Sequence, residues 1–257
     1  MSDSAASTAS PAPADTVRNE PNRRWIRGRI GGRTVVDSRN SLFVWEMPYY
    51  PQWYFPRADV HPELRRTERT EPSDTLGPAT VFDLVISEDG GEVVHEGAAL
   101  IYEDAPVEAI RDRVRLRWDA VDTWLEEEVE VAVHPRSPYT RVDALPSSRR
   151  VVVTVDGEVV AETDRPTILY ETGLRPRYYL PMEDVRPGLL TPSDSSTACP
   201  YKGVARYWDL TVNGETHRDL VWGYDNPLPE SAPVTGLVCF YNERVTITVD
   251  GEPAPTS

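Results

Sequence analysis

Cysteine is almost missing from this chain: Cys199 and Cys239 are the only two in 257 residues. So few exclude the disulfide framework of a small secreted domain. With no cationic leader ahead of an apolar core at the start of the sequence, they favour a reducing compartment, the cytoplasm. Positive charge is also short. Lys and Arg number 27 against 42 Asp and Glu, a formal net charge of -15. Neither nucleic acid nor an anionic membrane face is therefore expected as a partner, because phosphate binding relies on lysine and arginine neutralising backbone charge. No apolar run approaches the length of a membrane span. A glycine-rich phosphate loop is lacking too, since "GRIGGR" at 28–33 precedes a strand and no helix follows it. With 24 prolines, long helices are not expected anywhere.

What is there reads as β. Runs such as "RTVVDS", "RVRLRW", "RVVVTV", "RYWDLTV" and "RVTITV" are short, β-branched or aromatic, and partly alternating. Asp-Gly or Asn-Gly recurs at 88–91, 155–158, 212–215 and 249–252, where tight hairpins want positive φ. The one helix candidate is "DAVDTWLEEE", 119–128, in which Val121, Trp124, Leu125 and Glu128 share a face.

Self-comparison organises these strands. At an offset of 125, Gly32 to Val60 aligns with Gly157 to Val185 without a gap, pairing Glu46 with Glu171, Tyr54 with Tyr179 and Asp59 with Asp184. Further on, "PSD" at 72–74 matches "PSD" at 192–194, "FDL" at 82–84 matches "WDL" at 208–210, and Leu100 falls opposite Leu220. The fold expected is mainly β, a tandem duplication of a small antiparallel domain with little helix. Its parts are a disordered tail over 1–21, a first repeat over 22–133, an ordered linker over 134–146, a second repeat over 147–252 and a tail over 253–257. The Ser-, Ala- and Pro-rich tails lack the apolar groups that offset ordering entropy.

The motifs "WYFPRADV", "HPRSPYTRVDALPSSRRV", "RYYLPMEDVR", "CPYKGVARYWDL" and "GLVCFYNERVTITVDG" together resemble the Domain of Unknown Function 427 family in a two-copy form. The resemblance implies a compact β domain of the Mss4-like, or β-tent, group, in which small antiparallel sheets meet at an angle. It also carries a nucleotidyltransferase label. Many β-tent relatives hold a zinc between two Cys-x-x-Cys pairs. Here there is no such pair, and His61, His95, His134 and His217 lack ligand spacing, so neither a metal site nor a cofactor is expected.

Between "PSD" and the aromatic "xDL" the second copy reads "SSTACPYKGVARY" and the first only "TLGPATV", which places an insertion, and the candidate site, in the second copy. Cys199 is there as a nucleophile or redox thiol beside Lys202, or as a half-buried small hydrophobe entering a strand. Lys202 is there as a cation for a carboxylate or phosphate, or as an exposed turn lysine. Tyr201, Trp222 and Tyr224 are candidate pocket rings, with Tyr178 and Arg177 beside them. Asp184 is a candidate ligand contact or, being paired with Asp59, a turn cap. Glu243 is the candidate general acid or base. The linker adds Arg136 and Tyr139. The expectation is a cytosolic, monomeric protein with internal pseudo-symmetry whose second repeat, near the linker, binds a small planar or anionic molecule. The alternative is an enzyme acting on a small molecule, either through a thiol or by metal-dependent nucleotidyl transfer, for which Asp184, Asp194 and Asp209 would have to assemble.

Overall fold

The computed structural model describes residues 17–88 and 90–255. The chain divides into two compact units at Pro135 and Arg136. The first runs β1 (Asn19–Pro21), β2 (Ile26–Ile30), β3 (Arg33–Ser38), β4 (Leu42–Val44), β5 (Gln52–Tyr54), β6 (Glu63–Glu71), β7 (Ala79–Glu88), β8 (Gly91–Ile101), β9 (Val114–Leu116), β10 (Thr123–Glu126) and β11 (Val129–Glu130). The second repeats this series one for one. It runs β12 (Val142–Pro146), β13 (Val151–Val155), β14 (Glu158–Thr163), β15 (Thr167–Glu171), β16 (Arg177–Pro181), β17 (Leu190–Cys199), β18 (Gly203–Val212), β19 (Glu215–Gly223), β20 (Leu237–Phe240), β21 (Thr246–Val249) and β22 (Glu252–Pro253). Among the described residues helix is confined to five short 3-10 turns, and none is long and apolar enough to cross a membrane.

Sheet order confirms the doubling. The order β11-β10-β2-β3 in the first unit is matched by β22-β21-β13-β14 in the second. The orders β1-β4-β5 and β6-β7-β8-β9 reappear joined as one seven-stranded sheet, β12-β15-β16-β20-β19-β18-β17. The join is the pairing of Leu180 with Val238, which in the first unit survives as the single bridge Phe55 to Val114. Bulges fall at matching places: between Phe82 and Leu84 in one unit, between Trp208 and Leu210 in the other. The repeated Asp of "FDL" and "WDL" explains them. Asp83 accepts a hydrogen bond from the Gly97 amide at 2.7 Å, and Asp209 accepts one from the Asp219 amide at 2.8 Å, so each carboxylate satisfies a backbone donor that the bulge takes out of the ladder.

Each unit has two apolar clusters because its strands bury alternate residues on opposite faces. In the second unit one cluster gathers Val151, Val153, Ile168, Tyr178, Leu180, Leu210 and Val221. The other gathers Val142, Leu169, Tyr179, Ala205, Tyr207, Trp222, Tyr224 and Cys239. Adjacent residues Tyr178 and Tyr179 thus serve different cores.

Several sequence expectations change. The 119–128 segment is no α-helix: Trp118–Ala120 form a 3-10 turn and Thr123–Glu126 form β10, with Trp124 and Glu126 buried and their neighbours partly exposed. The cross-strand partners Gly28 and Arg27 of β2 reward that two-residue alternation more than an isolated short helix would be rewarded. The tail expected over 1–21 ends earlier, because Asn19–Pro21 pair with β4; residues 1–16 lie outside the described residues. Val142–Pro146, read as linker, pair with β15. At the far end Glu252–Pro253 pair with β21 and Ala254 is buried, while 256–257 lie outside the described residues. The partners of β1 and β12 are distant in sequence, and β22 is only two residues turned back on β21, so composition hid all three.

The largest correction concerns the insertion. Register sets Arg66 opposite Phe82 and Pro192 opposite Trp208, and after the bulge sets Glu71 opposite Ala79 and Thr197 opposite Ala205. The two hairpins therefore have the same length, and the "PSD" of 72–74 corresponds to residues 198–200, not to 192–194. Ser73, Thr75, Leu76 and Gly77 stand where Cys199, Tyr201, Lys202 and Gly203 stand. Likewise Ala99 opposite Leu116 and Val221 opposite Phe240 make Trp222, not Leu220, the counterpart of Leu100.

Candidate functional site

The loop between β17 and β18 is Pro200, Tyr201 and Lys202, closed by the pairing of Cys199 with Gly203. Gly203 has φ +98, and a Cβ there would meet the Asn226 carbonyl oxygen at 3.3 Å, so the turn requires glycine. On the far side Leu228 N–H donates to the Lys202 carbonyl at 3.0 Å. Held in this way, Lys202, the single lysine of the sequence, directs its ammonium at Glu171 and donates a hydrogen bond to Oε2. Their side chains keep only 14% and 10% of their exposure.

The first unit shows what this loop position does without a lysine. Leu76, at the same place, is 1% exposed and joins the cluster of Leu42, Val44, Tyr54, Val81, Leu100 and Tyr102. Glu46, the counterpart of Glu171, remains, but it accepts a hydrogen bond from Tyr54 OH at 2.8 Å and lies 2.6 Å from Arg115 Nε. Each unit keeps one half-enclosed carboxylate and neutralises it from a different element. Where the first unit has Leu76, Val81 and Leu100, the second has Lys202, Tyr207 and Trp222.

Around those positions lies a cleft of about 200 Å³ lined by Glu171, Arg175, Arg177, Lys202 and the rings of Tyr179, Tyr207, Trp222, Tyr224 and Tyr241, with Leu169 and Leu174. The rings brace one another. Trp222 Nε1 donates to Tyr179 OH at 3.3 Å, Trp222 and Tyr241 have centroids 4.4 Å apart, and Tyr207 OH meets Thr197 Oγ1 at 2.8 Å. Burial raises the phenols of Tyr179 and Tyr224 well above their ordinary range, and burial with the Tyr207 contact pushes Tyr241 up to about 12. These hydroxyls are neutral donors and acceptors across the physiological range.

At the rim, Arg177 makes a two-pronged pair with Glu243, 2.8 Å on each prong, and sits 5.5 Å over the Trp222 ring. Arg175 lies 3.5 Å from the same carboxylate. Those arginines, Arg177 foremost, hold the Glu243 carboxyl down to about 2. A group that carries no proton near neutrality, with both oxygens engaged, is a positioning residue for arginine rather than a general acid.

Of the residues singled out from sequence, Lys202, Arg177, Trp222 and Tyr224 come together. Cys199 is half-buried and lines no part of the cleft; its fellow Cys239 is fully buried, and burial raises its thiol. Tyr201 turns to the connector, where its hydroxyl accepts from Ser137 N–H at 2.7 Å. Tyr178 packs in the opposite core. Asp184 accepts from Thr163 Oγ1 at 2.7 Å and from Arg165 at 3.1 Å, as Asp59 accepts from Ser38 at 2.5 Å, so the pair fastens a turn in both units. Arg136 is half-buried and Tyr139 exposed in the connector; neither lines the cleft. Asp184 and Asp209 each serve a separate structural bond, and Asp194 is exposed. Among the described residues, the one trio of metal-type side chains within reach of a common ion is Asp156, Glu215 and His217, whose ligand atoms lie within 4.8 Å of one another. His217, unremarkable in sequence, gains it because β13 and β19 bring their turns together.

The lining residues not chosen for the site from sequence are Glu171 and Tyr179, marked there only as repeat-paired positions, with Arg175, Tyr207 and Tyr241. Glu171 had a signal: a carboxylate ending the apolar strand "TILYE" and repeated as Glu46. Lys202 had a stronger one in being the only lysine.

A search of curated proteins finds no match. A family model named NTP_transf_9, described as Domain of unknown function (DUF427), matches residues 18–127 and again 143–251. These two starts fall at β1 and β12, the strands that open each structural copy. The chain belongs to the DUF427 family and carries its domain twice.

Proposed function

We propose that the second unit is a binding module for a small planar anion. The single observation that carries this reading is the placement of Lys202, Arg175 and Arg177 among five aromatic rings, in a protein whose net charge is -15. Three cations face two carboxylates, Glu171 in the lining and Glu243 at the rim, so one positive charge is left over and the cleft favours a monoanion against the repulsion of the surface around it. Flat phenol and indole faces suit a planar body, and neutral hydroxyls supply hydrogen bonds without adding charge. The volume suits a ligand the size of an aromatic acid better than a nucleoside triphosphate.

The test is a thermal-shift screen of the full chain against aromatic monocarboxylates, their uncharged amides and nucleoside phosphates with and without magnesium. Acids that stabilise the wild type, with the amides inert and the Arg177→Gln variant unresponsive, support the reading. Equal stabilisation by acids and amides, or no selective ligand in the panel, refutes it. Stabilisation only by nucleotide with magnesium would move the assignment to nucleotidyl transfer.

A further inference from the structure

The first unit has a hollow of its own. It is an open depression of about 190 Å³ lined by Tyr50, Gln52, Arg115, Arg117, Trp118, Asp119, Val133 and His134. It lies on the matching strands, β5 and β9, but its chemistry differs. Arg115 and Arg117 are two apart in and just beyond β9, so they point to the same side. Arg115 Nε forms an ion pair with Glu46 at 2.6 Å without the alignment of a hydrogen bond, and its two terminal amino nitrogens have no hydrogen-bond partner among the described residues. Arg117 is fixed by donating from Nε to the Gly97 carbonyl at 2.7 Å and by an ion pair with Glu71. Two oriented guanidinium groups with open donors form a fork for an oxyanion.

The opposite wall is unusual in its backbone. Val133 has φ +71, and His134 N–H donates to the Ala132 carbonyl at 2.8 Å, which makes a three-residue γ-turn centred on a β-branched residue. Such a turn is strained, because the branched Cβ crowds the carbonyl in the left-handed region. Strain of this kind persists only where surrounding contacts enforce it, and it concentrates at ligand clamps. Here it presents the His134 ring, stacked 3.9 Å from Tyr50 at an interplanar angle of 12°. A mere connector between two units needs neither the turn nor the stack.

We infer that the first unit holds a second, separate site, which takes a carboxylate or phosphate oxyanion at Arg115 and Arg117 and packs the body that carries it against the His134 and Trp118 rings. This goes beyond the second-unit reading and uses none of its residues. The test titrates the full-length protein with inorganic phosphate and, separately, with benzoate, following the indole N–H signals of Trp118 and Trp222 and the ring signals of His134 by nuclear magnetic resonance. Saturable shifts of Trp118 and His134 with either probe are expected, and the responding probe tells phosphate from carboxylate. The dissociation constant should rise about tenfold in Arg117→Gln, the value of one charge-assisted contact. His134→Ala, which leaves both arginine pairs intact, should weaken benzoate more than phosphate. No saturable shift with either probe, or unchanged affinity in both variants, overturns the inference. Trp222 reports the other cleft independently, so either site can fail alone.

Discussion

Replacing Lys202 by leucine gives the second unit the residue that the first carries at the same place, and the outcome is not benign. Lys202 and Glu171 retain 14% and 10% of their side-chain exposure, so the substitution strands a carboxylate in low dielectric. Breaking a buried pair from one side costs roughly 3–5 kcal/mol; residual access to water and the apolar gain of leucine bring the expected net loss to about 2–3 kcal/mol. The first unit escapes this cost because Arg115 and Tyr54 satisfy Glu46 from other directions. Adding Glu171→Gln to Lys202→Leu removes the stranded charge, and the double variant should return to within about 1 kcal/mol of wild type. Urea unfolding of wild type, both single variants and the double variant gives the cycle, with amide exchange in β16 and β20 reporting the second unit alone. If Lys202→Leu alone shifts stability by less than about 0.5 kcal/mol, the pair is screened as a surface pair is, and Glu171 is not stranded in low dielectric. A double variant as damaged as Lys202→Leu would show that the loss came from packing instead.

The remaining expectations concern single groups. Glu243 should titrate near 2 by carbon NMR and return toward the ordinary carboxylate range in Arg177→Gln. Because its folded value lies below its unfolded one, its contribution is complete above about pH 5 and fades as pH falls toward 2; with 39% of the side chain exposed, screening limits it to about 1 kcal/mol, measurable by urea unfolding at pH 7 and pH 3. Gly203→Ala should cost more than Gly77→Ala. Both positions have positive φ, but only at Gly203 does a Cβ meet backbone, at 3.3 Å from Asn226, so the expected difference in thermal unfolding corresponds to about 1 kcal/mol. A disulfide reagent should modify one thiol per chain in the native protein, Cys199, and two in urea, since Cys239 is fully buried; two rapid equivalents under native conditions would refute the placement of Cys239.

The doubling, the β character and the turn chemistry were legible in the amino-acid sequence because they rest on local signals: alternation with a period of two, glycine where φ must be positive, and repeated letters at fixed spacing. The Glu46/Glu171 and Asp59/Asp184 pairs could be marked as demanded by the fold for the same reason. What local signals could not supply was register. Whether Trp222 answers Leu100, whether Lys202 replaces a buried leucine, and whether Val142–Pro146 is connector or strand all depend on which backbone hydrogen bonds form between residues far apart in sequence, and a shift of one residue exchanges core for solvent. Cys199 and Tyr201 lie just ahead of Lys202 in the chain, yet only Lys202 enters the cleft, because the hairpin turn sends neighbouring side chains in different directions. Sequence determined that two β units of one kind exist and which residue types could bind an anion. Tertiary pairing alone decided which of those residues share a wall, since a cleft is a property of strands brought together and not of any one of them.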